Sequence, residues 1–182
     1  MPLTQWGEPG VESRLNYNEA MLALRFAGLL AVAVWFGGLL ALGAIAAPAI
    51  FDVIDSGQIA GGRVVAGALF GEILRRFHLV GYACGAVILL SLSARAVLGP
   101  RPRHFALGAV TTSLMLAAAL YSGVILSGRI EHLHQEIGAS PSSLREDDPR
   151  RLEFGRLHAL STALQLVPLI GGLVLLFREM TD

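Results

Sequence analysis

FALGAVTTSLMLAAALYSGVILSG, residues 105–128, passes without one charged side chain. That exceeds the ~20 residues a helix needs to cross a ~30 Å hydrocarbon core. Three further uncharged runs share its character: Phe26 to Ala47, Phe77 to Ala94 and Leu157 to Phe177. Segments crossing in series must alternate in direction. The pattern therefore predicts an all-α fold, an integral membrane antiparallel four-helix bundle. Its crossings fall at about 22–47, 76–98, 105–128 and 157–177, after a polar tail over 1–20.

Composition agrees. The chain has 182 residues, 54% of them hydrophobic and 15% charged, so one domain shares its core with lipid. A net charge of zero gives nucleic acid nothing to recognise. All 14 basic residues are arginine, a usage typical of GC-rich bacterial genomes, which makes the bacterial inner membrane the expected location. The single cysteine, Cys84, lies mid-way through the second crossing and reads as a small apolar residue. Ala44-Ile45-Ala46 resembles a signal cleavage site, but Glu8, Glu12 and Glu19 and the length of the run favour a retained helix.

Local signals set the expected boundaries. Asn18 or Glu19 suits a helix start, and Pro48 should end the first helix. Residues 52–62 are turn-rich, and Arg63 to Arg76 reads as helical, with Glu72 spaced to pair with Arg76. An unbroken run from there through the second crossing would span ~50 Å, longer than the bilayer. Ala33, Gly37 and Ala41 form one small-residue seam, Gly81 and Gly85 another, both suited to close helix packing. The loop from Arg95 to His104 carries Arg95, Arg101 and Arg103 with no acid. That places it, and both termini, in the cytoplasm. The loop from Arg129 to Arg156 holds five arginines mixed with acids and pulls the other way.

Counting crossings puts His78, His132, His134 and His158 on one membrane face, outside in the preferred orientation, and His104 on the other. A polar stripe of His158, Ser161, Thr162 and Gln165 continues into Pro168 and Gly172 and should turn away from lipid. His78 shares a face with Gly81 and Gly85, and a matching stripe in the third crossing is Gly108, Thr112, Met115, Ala119 and Ser122. His78 and His158 could bond across helices, hold a metal ion or ligate a haem between them. His132 and His134 would complete a metal set, with Glu72, Glu131, Glu153, Ser161 and Gln165 in support. Glu131-x-x-His134 is half of a di-iron pattern whose second copy is missing. Zinc-protease, phosphate-loop and nucleophile-elbow motifs are absent, so no catalytic residue is assigned.

Trp35-Phe36-Gly37-Gly38 followed by Ala46-Ala47-Pro48-Ala49-Ile50-Phe51 resembles the first helix of the transmembrane-protein-205-like family, also called domain of unknown function 4149. Arg75-Arg76-Phe77-His78 is similar to the start of that family's second helix. Phe154-Gly155-Arg156-Leu157-His158-Ala159-Leu160-Ser161 is similar to the start of its fourth. The likeness covers roughly residues 22–177 and implies the same four-helix order. The family is distantly similar to the copper resistance D membrane domain, which implies copper handling and points to His78 and His158. Four methionines, Met1, Met21, Met115 and Met180, form no ladder for Cu(I).

Two functions are therefore expected. The chain binds a metal ion, copper among them, or a haem at a histidine cluster on its outer face, in copper handling or electron transfer. Alternatively it has no cofactor and is an accessory subunit, packed in lipid against other membrane subunits or itself. Coupled transport ranks below both, because no ionisable group lies deep in the runs.

Overall fold

A computed structural model describes residues 11–57 and 61–181. Six helices carry the fold: α1 (Val11–Ala41), α2 (Ala47–Ser56), α3 (Gly62–Leu98), α4 (Phe105–Leu120), α5 (Ser127–Ile137) and α6 (Pro149–Thr181). Two π-helical segments join them, Leu42–Ala46 between α1 and α2 and Tyr121–Leu126 between α4 and α5. The result is four long helical rods, each long and apolar enough to cross a membrane, as expected of an integral membrane protein.

Two boundaries differ from the sequence expectation, and a third point left open is decided. The described part of the tail, from Val11, is already helical and continuous with the first crossing; residues 1–10 lie outside the described residues. Pro48 does not end its helix, which runs on to Ser56. A proline ring clashes with the carbonyl four residues back in a regular helix. The wider π turn just ahead of it, Leu42–Ala46, relieves that clash. Arg63–Arg76 continues without a break into the second crossing as the 37-residue α3, about 55 Å at 1.5 Å per residue. Left-handed glycines bound two of these elements, Gly61 at φ 74° before α3 and Gly138 at φ 65° after α5.

The rods meet through glycines. Gly28 lies against Ser91, Gly81 against Trp35 and Gly38 against Phe77, joining α1 to α3. Gly85 against Leu116, and Gly123 against His78, join α3 to the α4–α5 rod. Gly108 against Arg178 and Gly171 against Met115 join α4 to α6, and Gly172 against Phe36 closes the ring to α1. Trp35, 2% exposed, sits at the centre with Ile88, Leu92, Met115 and Leu175. A second cluster, Leu126, Leu133 and Leu157 with Phe154 and Leu164, ties α5 to α6.

Outward, the normal polarity of a protein surface is reversed: Leu30, Leu114, Ile170 and Phe177 are among many large apolar side chains left exposed. Such a surface suits contact with lipid.

Candidate functional site

Among the described residues, two groups of polar side chains are enclosed by these rods, one at each end. The first centres on His78 of α3, which is 5% exposed. The Gln165 side-chain amide on α6 donates to its Nε2 at 3.2 Å. Nδ1 is buried without a hydrogen bond of good geometry, and the Leu74 carbonyl one turn back is its polar neighbour. Tyr82, one turn on, tilts toward the ring at 6.2 Å between centroids and donates to the Ala119 carbonyl. The π segment brings Ser122 and Gly123 to this point: a Cβ on Gly123 would strike the Tyr82 hydroxyl and come 2.9 Å from the His78 ring. Ser122 meets Ser161 of α6 hydroxyl to hydroxyl at 3.3 Å. Glycine at 123 is therefore what lets the third rod close over the imidazole.

The other sequence-predicted residues have different surroundings. His158 is exposed, because Leu157 takes the inward position beside it; its ring stacks on Phe154. His134 meets the same Phe154 edge-on at 5.4 Å, and its Nε2 is buried without a hydrogen-bond partner. His132 is exposed on α5, and His104 stands just before α4 at the opposite end. Glu72 is engaged by Arg75 and Arg76 at 2.7 Å each, Glu131 accepts from Gln135, and Glu153 is exposed. Among the described residues, no three His, Cys, Asp or Glu side chains gather as a metal set. A Cβ on Gly81 would lie 2.9 Å from Trp35 Nε1 and one on Gly85 would strike the Leu116 side chain, whereas at Gly37 nothing but its own helix lies within 4 Å.

The second group went unread in the sequence. Glu179 of α6, 7% exposed, is gripped by three arginines from three helices. Arg25 Nε lies 2.8 Å from its Oε1, Arg95 Nη1 3.2 Å from the same oxygen, and Arg178 Nη2 2.8 Å from Oε2. Arg25 also donates to the Glu179 carbonyl at 2.7 Å. A usable signal existed: Arg25, Arg95 and Arg178 each directly border an apolar run, all at the same end.

A family model described as a domain of unknown function, DUF4149, matches residues 30–138, more than half of the sequence. The chain belongs to this family. No curated protein and no solved structure matches it. The DUF4149 match takes in His78, Tyr82 and Gly123, and it stops short of Gln165, Arg178 and Glu179. In this DUF4149 protein the two enclosed groups thus each join a residue inside the matched region to α6 beyond it.

Haem asks for an imidazole nitrogen free to face the iron and room beside it for a flat macrocycle. His78 offers Nε2 already bonded to Gln165 and a ring packed under the Gly123 backbone. These surroundings do not fit an axial ligand.

Proposed function

We propose that this chain is a structural subunit of a larger membrane assembly. It spans the bacterial inner membrane as an antiparallel four-helix bundle with both termini in the cytoplasm. The outer face of α1 docks a transmembrane helix of another chain. One observation carries this reading: Ala33, Gly37 and Ala41 are exposed, and nothing but their own helix approaches Gly37 or Gly43 within 4 Å. Glycine on a lipid-facing surface leaves a furrow that acyl chains fill poorly and another helix backbone fills well. The interior seams at Gly81 and Gly85 are occupied by Trp35 and Leu116 of the same chain; this one is open. The test is cysteine cross-linking in native membranes from a Gly37→Cys variant carrying Cys84→Ala. An adduct larger than twice the chain is expected. An adduct of twice its mass would make the partner a second copy, and none at all would overturn the proposal.

A second reading retains a metal ion at the outer face. It rests on the buried, unpartnered Nε2 of His134 and on the Phe154 ring that His134 shares with His158. Copper would bind there through the unprotonated imidazole nitrogens, the form that ligates a metal. Copper titration of the purified protein and its His134→Ala variant decides it: equal uptake by the two removes this reading.

A further inference from the structure

The outward face of α3 keeps one spacing from end to end. Val65 and Leu69 lie on it above Glu72 and Arg76, and Leu79, Ala83, Ala86 and Leu90 lie below. Steps of alternately four and three residues separate them, and the same spacing continues to Val97. That is the period of a coiled-coil seam. Every one of these side chains is exposed except Glu72, which is partly covered.

Lipid accounts for only part of this face. From Arg95 to Arg75 the helix rises about 30 Å at 1.5 Å per residue, the depth of the hydrocarbon core. Val65, 50% exposed, and Leu69, 46% exposed, therefore stand beyond the reach of acyl chains. Between them and Leu79 an ion pair interrupts the stripe. Arg76 Nε lies 2.7 Å from Glu72 Oε1, with 76% of the arginine side chain exposed. A single occupant of the whole face must be apolar, then charged with both signs, then apolar again, over an equal length. The α3 helix of a second copy has that layout at matching heights.

We propose that the protein forms a homodimer in the membrane, joined along α3 about a two-fold axis normal to the bilayer. Copies inserted in one orientation bring identical heights together, so the seam is parallel and self-complementary. In a parallel seam each side chain packs between the positions before and after it on the opposite helix. Arg76 of one copy thus meets Glu72 of the other, and the reciprocal pair forms beside it. Ala83 and Ala86, the smallest side chains of the seam, let the two backbones approach. The ionic layer fixes the register, because a slip of one heptad would set Arg76 opposite Leu69 or Ala83. This interface uses none of Ala33, Gly37 and Ala41, so it goes beyond the docking proposed for α1 and does not depend on it.

The test places single cysteines in the full-length Cys84→Ala protein and joins them in native membranes with a short bifunctional maleimide. Leu69→Cys and Val97→Cys, on the seam near opposite ends of α3, should each give an adduct of twice the chain mass. Leu152→Cys and Met180→Cys, exposed at the two ends of α6, should give none above chance collision. The ionic layer is tested on the Val97→Cys background with differently tagged copies. Arg76→Glu alone and Glu72→Arg alone should each lose the adduct, and co-expression of the two should restore it between unlike copies. A pair confined to one helix cannot produce that rescue, because each variant breaks its own pair. No adduct at Leu69→Cys or Val97→Cys, or equal adducts at the α6 positions, would overturn the homodimer. An adduct heavier than twice the chain would assign the face to a different protein and overturn it too. Absence of rescue between folded variants would do the same; where the charge variants do not fold, the cysteine pattern decides.

Discussion

The Gln165 amide meets His78 Nε2 at 3.2 Å across 87 residues of sequence, tying α6 to α3 inside an apolar interior. Gln165→Leu removes the only side-chain donor bonded to that nitrogen among the described residues and leaves it buried. A buried acceptor stripped of its partner costs about 1–3 kcal/mol, whereas replacing both partners by apolar groups costs little. Gln165→Leu should therefore lower the melting point in detergent, and His78→Leu combined with Gln165→Leu should recover part of the loss. Additive losses in the double variant would show that the two side chains act independently.

Gly123 and Gly128 stand five residues apart in one rod, with opposite surroundings. A Cβ at 123 meets Tyr82 and His78; at 128 it meets nothing within 4 Å. Gly123→Ala should destabilise by about 1–3 kcal/mol through overpacking. Gly128→Ala should be neutral or stabilising by up to about 1 kcal/mol, since alanine suits a helix better. Melting both variants in one detergent compares them directly; an equal effect would mean the π segment does not hold position 123 against α3.

Gly81 and Gly37 separate folding from assembly. At Gly81 a Cβ would lie 2.9 Å from Trp35 Nε1, so Gly81→Leu should abolish a monodisperse monomer in detergent. Gly37→Leu, on the open face, should leave the monomer's melting point within about 0.5 kcal/mol of wild type. It should nevertheless reduce co-purification of any partner. A monomer equally damaged by both would remove α1's outer face from consideration as a docking surface.

Asp148 caps α6. Its Oδ1 accepts from the backbone N–H of Arg150 at 2.9 Å, with Pro149 as the first helical residue. The Arg150 side chain, then its backbone N–H, hold the Asp148 carboxyl below the usual carboxylate range. A lowered folded-state value means the cap contributes fully above the unfolded value near 3.9 and is lost as pH falls through the folded one. Asp148→Asn should flatten the acid limb of the stability–pH curve while preserving part of the cap. An unchanged acid limb would show that this carboxylate does not contribute to it.

The third rod shows what was legible. Gly108, Thr112, Met115 and Ala119, four members of the stripe read from helical spacing, are buried because a 3.6-residue period holds while the helix is regular; Ser122, the second residue of the π segment, is buried as well. The fourth rod shows what was not. A polar stripe drawn through His158 and Thr162 leaves both exposed, and Leu157 faces inward instead. Near headgroups an outward histidine finds water, so polarity there carries no information about facing. The flanking arginines of the Glu179 group could be placed at one end, but not its pairing with Glu179, because the partners are separated by 154 and 84 residues and meet only when helix ends align. No local pattern announced the π segments either, yet one of them decides what touches His78.

The segment Tyr121–Leu126 has a further consequence for how the molecule tolerates change. A π turn holds one residue more than the α turn it replaces, and each helical residue advances the face by about 100°. Everything downstream in that rod, including Leu133 against Leu157 and His134 against Phe154, is thus dialled into position by a single surplus residue. Deleting one codon there, at Val124 for instance, would regularise the helix at no cost in backbone hydrogen bonds and swing α5 a quarter-turn off α6. The rods would survive; the end of the protein bearing four of its five histidines would not keep its arrangement. Alignments that treat this stretch as an ordinary helix would misassign every inward position after it by one.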